Sequence, residues 1–244
     1  MKAVKTVVSL FVIGVCLTSA QAANAGEFGL SVRTWFPSLD GKVQKGTVLD
    51  FKDDLGIEKK NLTSVGLIFG DEGKFQFDFD SFSFDGGKNP AAVYSFAGTS
   101  YNPADHVKAK SEFSYIAAKW LPTYNAKSDH NFSWLFGISN FKIKTKLNAS
   151  GKNAETTFKS YAPIVGARYE IGTTRPTSYY GEIAASVTGG TKYSYASEVG
   201  AKWHFSEKTD FVAGYRYLAI KSGADDGYAK MSLSGPFIQL NYRF

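Results

Sequence analysis

The chain is nearly without cysteine. Its single one, Cys16, stands near the start of 244 residues, so no disulfide can staple the remainder and no Cys/His metal cluster can form. Histidine is scarce as well, which leaves only His106, His130 and His204 as imidazole bases. Proline numbers seven, so long stretches are free to pair in a β-ladder. No apolar run reaches the ~18–20 residues that a membrane-spanning helix needs. Strong charge of one sign is missing too. The formal net charge of +6 falls to +4 without Lys2 and Lys5, which argues against a nucleic-acid partner.

The longest apolar stretch, Val7 to Leu17, follows Lys2 and Lys5 and precedes Ala20-Gln21-Ala22 and Ala23-Asn24-Ala25. That order predicts a secretory signal peptide over residues 1–25, cut after Ala22 or Ala25, and a single domain over 26–244. Lipoprotein processing at Cys16 would want a smaller residue than Val15 before it.

What the chain has in quantity is Phe, Tyr and Gly, with 20, 14 and 24 residues. They are distributed with a period of two. About ten segments alternate apolar and polar residues between turn signals. "KFQFDFD" (74–80) sets Phe75, Phe77 and Phe79 against Lys74, Gln76, Asp78 and Asp80; "NFSWLFGISNFKIKTK" (131–146) and "YSYASEVGAKWHF" (193–205) read the same way. At Ser81-Phe82 the phase slips, which predicts a β-bulge or the edge of a membrane. Pro163 and Pro236 interrupt two of the runs.

The connections sort by length. Those around 71–74, 122–130, 172–177 and 206–209 are short, and those between include long ones at 38–61 and 85–107, with shorter members at 147–155, 188–192 and 221–228. Short turns on one side and longer loops on the other are the mark of a transmembrane barrel. A soluble β-sandwich also alternates, but it gives no reason for such sorting. Lipid offers no hydrogen bonds, so a spanning sheet must close on itself. The expected fold is therefore all-β: a transmembrane antiparallel up-and-down β-barrel of about ten strands, with eight as the alternative.

The leader, "DFVAGYRYL" and the terminal "GPFIQLNYRF" together resemble the small outer-membrane β-barrel proteins of Gram-negative bacteria. "RTWFPSLDGKV" and "TVLDFKDDLGIEKKN" are similar to recurring features of the same class. The resemblance implies export to the cell outer membrane, contact with its lipid and lipopolysaccharide, and recognition of Tyr242 and Phe244 by the outer-membrane assembly machinery. A monomer is expected. The resemblance covers architecture and does not fix the role; the expected role is structural or surface-interaction (adhesin-like), with a narrow channel for small solutes or ions as the alternative.

A barrel of about this size is close to filled by its own side chains. Charges on the polar faces should therefore pair. Counting outward from the short turns puts Arg168 opposite Glu182 and Glu198 near Arg216; closure of the sheet would bring Glu27 near Arg243. No cofactor is expected.

Enzymatic readings have candidates. Asp53-Asp54, Asp105-His106 and Asp225-Asp226 would lie on the outer side, where omptin-type proteases use Asp/Asp and Asp/His couples. Adjacent residues of an extended chain point opposite ways, however, and the chain looks short for that family's tall barrel. A lipid hydrolase or acyltransferase would need one of the three histidines beside a nucleophile. Asp50, Asp53 and Asp54 could hold calcium, but they lack the EF-hand pattern. On the fifth segment Phe132, Trp134, Phe136 and Ile138 give way to Asn140, Lys142, Lys144 and Lys146 on one face. That puts three lysines where lipopolysaccharide carries its phosphates.

Overall fold

The computed structural model describes residues 28–57, 62–70, 73–124, 128–188, 192–224 and 226–244. The leader, Glu27 and Asp225 lie outside them. Among the described residues every regular element is a strand. Ten form the wall: β1 (Phe28–Trp35), β4 (Leu62–Phe69), β5 (Gly73–Lys88), β8 (Val107–Tyr124), β9 (His130–Ala149), β10 (Lys152–Ile171), β11 (Thr177–Thr188), β12 (Lys192–Ser206), β13 (Thr209–Ala224) and β14 (Gly227–Arg243). Each pairs antiparallel with the next, and β1 pairs with β14 from Gly29↔Arg243 to Trp35↔Phe237, so the sheet is a closed barrel.

Two expected loops are largely strand. β2 (Ser38–Gln44) continues the β1 register along β14, so residues 28–44 make one long staff broken only at Phe36-Pro37. It then folds back as the short β3 (Val48–Asp50). The stretch 85–107 extends β5 and β8 and carries the hairpin of β6 (Tyr94–Phe96) and β7 (Thr99–Tyr101). The connections expected at 147–155 and 221–228 shrink to two residues each, because β9 and β10 run for 20 residues and β13 for 16. Among the described residues, two large excursions remain at that end of the barrel, around β2–β3 and around β6–β7.

The slip at Ser81-Phe82 is not a bulge. β5 and β8 stay in register from Gly73↔Pro122 to Lys88↔Val107, and the even-numbered side chains of β5 face inward throughout. What changes is the character of the interior. Asp78 and Asp80 face inward below, Phe82 and Phe84 above. Other strands change in the same way: Arg33 to Trp35, Lys119 to Tyr115, Arg168 to Ile164, Glu182 to Ala184, Glu198 to Ala196, Arg216 to Leu218. The outward face does the reverse. Below the change it is apolar and bare, with Ile138 67%, Tyr161 74% and Phe205 73% exposed; above it stand Lys142, Lys144, Thr157 and Lys159.

The barrel thus has two storeys. The lower is inside-out, apolar on its wall and charged within, as a sheet in hydrocarbon must be. The outward apolar run on β10 from Tyr161 to Ile171 rises ~25 Å at the usual tilt, the height of a barrel's lipid-facing band. Aromatic rings edge it below, where Phe28 stacks on Phe244 at 5.1 Å and packs on Phe69 at 4.9 Å. The upper storey has the polarity of a soluble protein. Phe51, Leu55, Phe84, Phe96, Tyr101, Phe113, Phe141 and Leu147 fill it, so hydrophobic burial holds it together in water. The 51–57 turn lies so close to β5 that a Cβ on Gly86 would fall 2.6 Å from the Leu55 carbonyl oxygen.

Candidate functional site

The lower lumen holds a cage of opposite charges. Glu198 on β12 receives the Arg33 guanidinium as a fork, Nη1 to Oε2 at 3.0 Å and Nη2 to Oε1 at 3.1 Å. The Tyr180 hydroxyl donates to the same carboxylate at 2.6 Å, and Arg216 Nε lies 3.9 Å away. Arg216 also reaches Asp80 at 3.2 Å. Lys119 bridges Asp78 at 2.9 Å and Glu182 at 3.0 Å. Arg168 links Glu182 at 3.3 Å to Glu170 at 3.5 Å, and Lys202 closes on Glu170. Aromatic faces back the guanidinium groups: Arg168 sits 4.1 Å from the Tyr180 ring centroid, Arg33 4.6 Å from that of Phe237. Within the cage the cations Arg33, Lys119, Arg168, Lys202 and Arg216 are matched by Asp78, Asp80, Glu170, Glu182 and Glu198.

Arg168 and Glu182 are direct cross-strand partners on β10 and β11, as are Glu198 and Arg216 on β12 and β13. Arg243 turns to Asp210 at 2.7 Å, while its expected partner Glu27 falls outside the described residues. The long-range members, Arg33, Asp78 and Lys119, had no local signal beyond being inward charges on their strands. Tyr180, which the sequence does not single out, is buried and spends its hydroxyl on Glu198.

A cavity of about 450 Å³ opens among these groups, lined by Arg33, Asp78, Lys119, Glu170, Glu182, Glu198 and Arg243. It is blind. Above it Trp35, Phe82 and Phe113 are buried, and the β6–β7 hairpin seals the top with Phe96 and Tyr101 wholly enclosed. The Tyr101 hydroxyl donates to the Leu147 carbonyl at 3.1 Å, and Thr47 and Ala97 amides bind the Ser95 and Lys45 carbonyls.

One trio has the look of a nucleophile with its base. Asp210 Oδ1 is 2.6 Å from His204 Nδ1, and His204 Nε2 is 3.5 Å from Ser178 Oγ. Ser178, however, is fully enclosed and donates its hydroxyl to Glu170 at 2.9 Å. An oxygen without access, whose proton points away from the imidazole, does not meet the geometry of attack. His106 bonds Asn89 and His130 bonds Tyr169, each at 2.8 Å. Among the rim acids, Asp54 accepts the Asp50 amide, Asp105 accepts the Asn102 amide and Lys152, and Asp226 pairs with Lys45. Asp50 Oδ1 accepts the Lys52 and Asp53 amides, so this acidic turn binds its own backbone. Among the described residues no group of three acids, histidines or cysteines could hold a metal.

The basic ladder of β9 does face outward, directly above the apolar band. Two of its rungs are engaged: Lys144 at 2.6 Å and Lys146 at 3.1 Å share Glu155 of β10. Lys142 instead faces Lys159 across the strand pair. At the opposite end of the wall Tyr242 and Phe244 both point outward, their rings edge to face at 5.1 Å, and the Phe244 amide donates to the Phe28 carbonyl at the seam.

No protein-family model matches the sequence, and no curated protein matches it. Solved structures do resemble the fold. The outer membrane protease OmpT from Escherichia coli superposes with a TM-score of 0.64 at 6% identity, over 91% of this chain and 98% of that one. The barrels are therefore of similar extent, and the expectation that this chain is too short for that architecture does not hold. The translocator domain of the autotransporter NalP from Neisseria meningitidis matches at 0.46 and 12% identity over 98% of both chains. Ail, the attachment invasion locus protein of Yersinia pestis, matches at 0.39 and 12% identity over 90% of this chain and 99% of that one. At such identities the likeness is one of fold, and architecture is where it agrees with everything above: with ten antiparallel strands sealed by β1 on β14, greasy outside and charged within, the chain has the fold of the outer-membrane β-barrel proteins.

Proposed function

We propose that this protein is a non-conducting barrel of the Gram-negative outer membrane, with a structural and surface-interaction role carried by its projecting upper storey. One observation supports this above all: the lumen is stoppered by packed apolar side chains, so the charged chamber beneath is a dead end. A pore needs a continuous wet path, and among the described residues Phe84, Phe96, Tyr101 and Phe141 are buried at that height, which speaks against one. The upper strands rise ~20 Å beyond the lipid band, which holds the two excursions clear of the headgroups as a platform. Lys142 and Lys159, in register at the edge of the band, would contact lipopolysaccharide phosphates, and Tyr242 and Phe244 would address the chain to the assembly machinery.

Two measurements test the reading. Purified barrel in planar bilayers should show no stepwise conductance above the lipid baseline; discrete openings would refute the stoppered lumen. Val93→Cys, at an exposed cap position, should react on intact cells with a membrane-impermeant maleimide. Labelling only after lysis would refute surface presentation.

A further inference from the structure

Three lysines stand side by side on the far face of the barrel from β9. Lys221 of β13 is the direct cross-strand partner of Lys230 on β14, and Lys230 is in turn the partner of Lys42 on β2. All three point outward, since their neighbours Ile220, Ser222, Ala229 and Val43 are the inward, buried residues. Like charges directly opposite one another in a sheet repel. Elsewhere on this surface several lysines have a carboxylate, Lys110 with Glu112, Lys144 and Lys146 with Glu155, Lys45 with Asp226, while Lys142 and Lys159 face each other as an isolated pair. Among the described residues no carboxylate forms an ion pair with Lys42, Lys221 or Lys230. Asp50, next in the row, gives one carboxylate oxygen to two backbone amides. Asp40 lies diagonally below, one pleat away, opposite Ser232.

The position of the row says what would neutralise it. Lys221 follows the outward apolar series Phe211, Ala213, Tyr215, Tyr217 and Ala219, so it is the first charge above the lipid-facing band on β13. Its other cross-strand neighbour is Tyr193, and the Tyr195 and Tyr217 rings pack at 6.0 Å just beneath. The row then climbs with the tilt of the strands through Lys230 to Lys42. A ligand that fits is amphiphilic, with acyl chains along the tyrosine strip and more than one phosphate spaced along the lysines. Polyanionic headgroups gain about a factor of five in binding per basic residue held at the surface.

We infer that Lys221, Lys230 and Lys42 form a binding site for a multiply phosphorylated lipid of the outer leaflet, separate from the Lys142 face. The inference rests on the membrane-barrel reading. Failure of that reading would show as a detergent-free monodisperse protein, whatever happens at these lysines.

The test uses Lys230→Gln, the middle of the row, compared with the unaltered barrel in zwitterionic detergent at low salt. Lys230 is solvent-exposed, and the heat-dependent gel shift verifies that the variant folds. Without lipid, the variant should melt at a higher temperature, because repulsion is relieved on both sides. Bisphosphorylated lipid A should raise the melting temperature of the unaltered protein more, so that the order reverses, with the half-effect lipid concentration about fivefold higher for the variant. Lys142 and Lys159 are common to both proteins and drop out of the comparison. Dephosphorylated lipid A should leave the order unchanged. The inference is overturned by an unchanged order with bisphosphorylated lipid A, by an equal reversal with the dephosphorylated form, or by a lower melting temperature for lipid-free Lys230→Gln. Inorganic phosphate at the same phosphate concentration should not reverse the order; a full reversal would assign the row to free anion and overturn the lipid.

Discussion

Replacing Glu198 by Gln removes one charge from the centre of the lumen and almost no volume. Among the described residues the carboxylate is the only ion-pair partner of Arg33, whose side chain is 11% exposed, and it also faces Arg216, at 5%. In the variant an amide NH2 replaces one arm of the acceptor fork, Tyr180 loses its charged acceptor, and Arg33 keeps the side-chain oxygen of Gln239 at 2.7 Å and one neutral oxygen at position 198. Breaking a buried pair by neutralising one partner costs about 3–5 kcal/mol. The adjoining cavity admits water, which places the expected loss at the lower end, about 3 kcal/mol. Denaturant unfolding from lipid vesicles, followed by tryptophan fluorescence and by mobility of unheated samples on gels, reads that loss directly. The control is Arg33→Met with Glu198→Met. Removing both charges together should restore most of the stability, because a cage without either member carries no unpaired ion. Were Glu198→Gln to lie within 1 kcal/mol of the unaltered protein, the pairs would be solvated decorations and the cage would not be what specifies the lower lumen.

The cap should loosen in acid. Asp105 has its carboxyl held below the usual carboxylate range, first by the Asn102 amide and then by Lys152. A depressed folded-state value stabilises the cap above the unfolded value of about 4, and that stabilisation is lost as pH falls through the folded value. Proteolytic nicking of residues 89–106 should therefore rise below about pH 4, and Asp105→Asn should nick readily at neutral pH as well. On the β9 face, Lys142→Gln with Lys159→Gln should lower lipopolysaccharide co-purification, whereas Lys144→Gln with Lys146→Gln should change it little because Glu155 already holds both. Equal retention by all variants would dismiss that contact.

The number of walls and their order were legible because the lower storey alternates cleanly. Segments such as 131–138, 163–171 and 199–205 put aromatic or aliphatic side chains outward at each second position. Their length was not legible. Above the lipid band the alternation inverts, so Lys144, Lys146, Glu155 and Thr157 face outward and Ile143, Leu147 and Ala154 inward. With charged and small residues, and with glycines such as Gly86, Gly87 and Gly151 between, that half reads as loop composition. β2 was missed for the same reason: Asp40, Gly41, Lys42 and Gln44 are poor strand formers, and only the register along β14 makes them one.

The cage was half legible, and the division follows from how register is set. A short turn fixes which residues face each other, so Arg168 with Glu182 and Glu198 with Arg216 could be placed by counting. Arg33 on β1 and Glu198 on β12 are three strands apart, and Lys119 on β8 meets Glu182 of β11 across the lumen. No spacing in the sequence encodes a contact through the barrel's interior; it depends on circumference, and circumference is known only once all ten strands are counted. The inversion at Ser81-Phe82 also sets depth. Below it an inward Asp and an outward Phe are each satisfied only if hydrocarbon surrounds the wall, and above it the inward Phe84 and outward Asp85 only if water does. Sliding the barrel along the membrane normal by one pleat in either direction would bare a ring of apolar side chains to water or push charges into lipid. The strands therefore hold the height of insertion in their polarity, and the upper storey must stand in solution for the same reason the lower one must not.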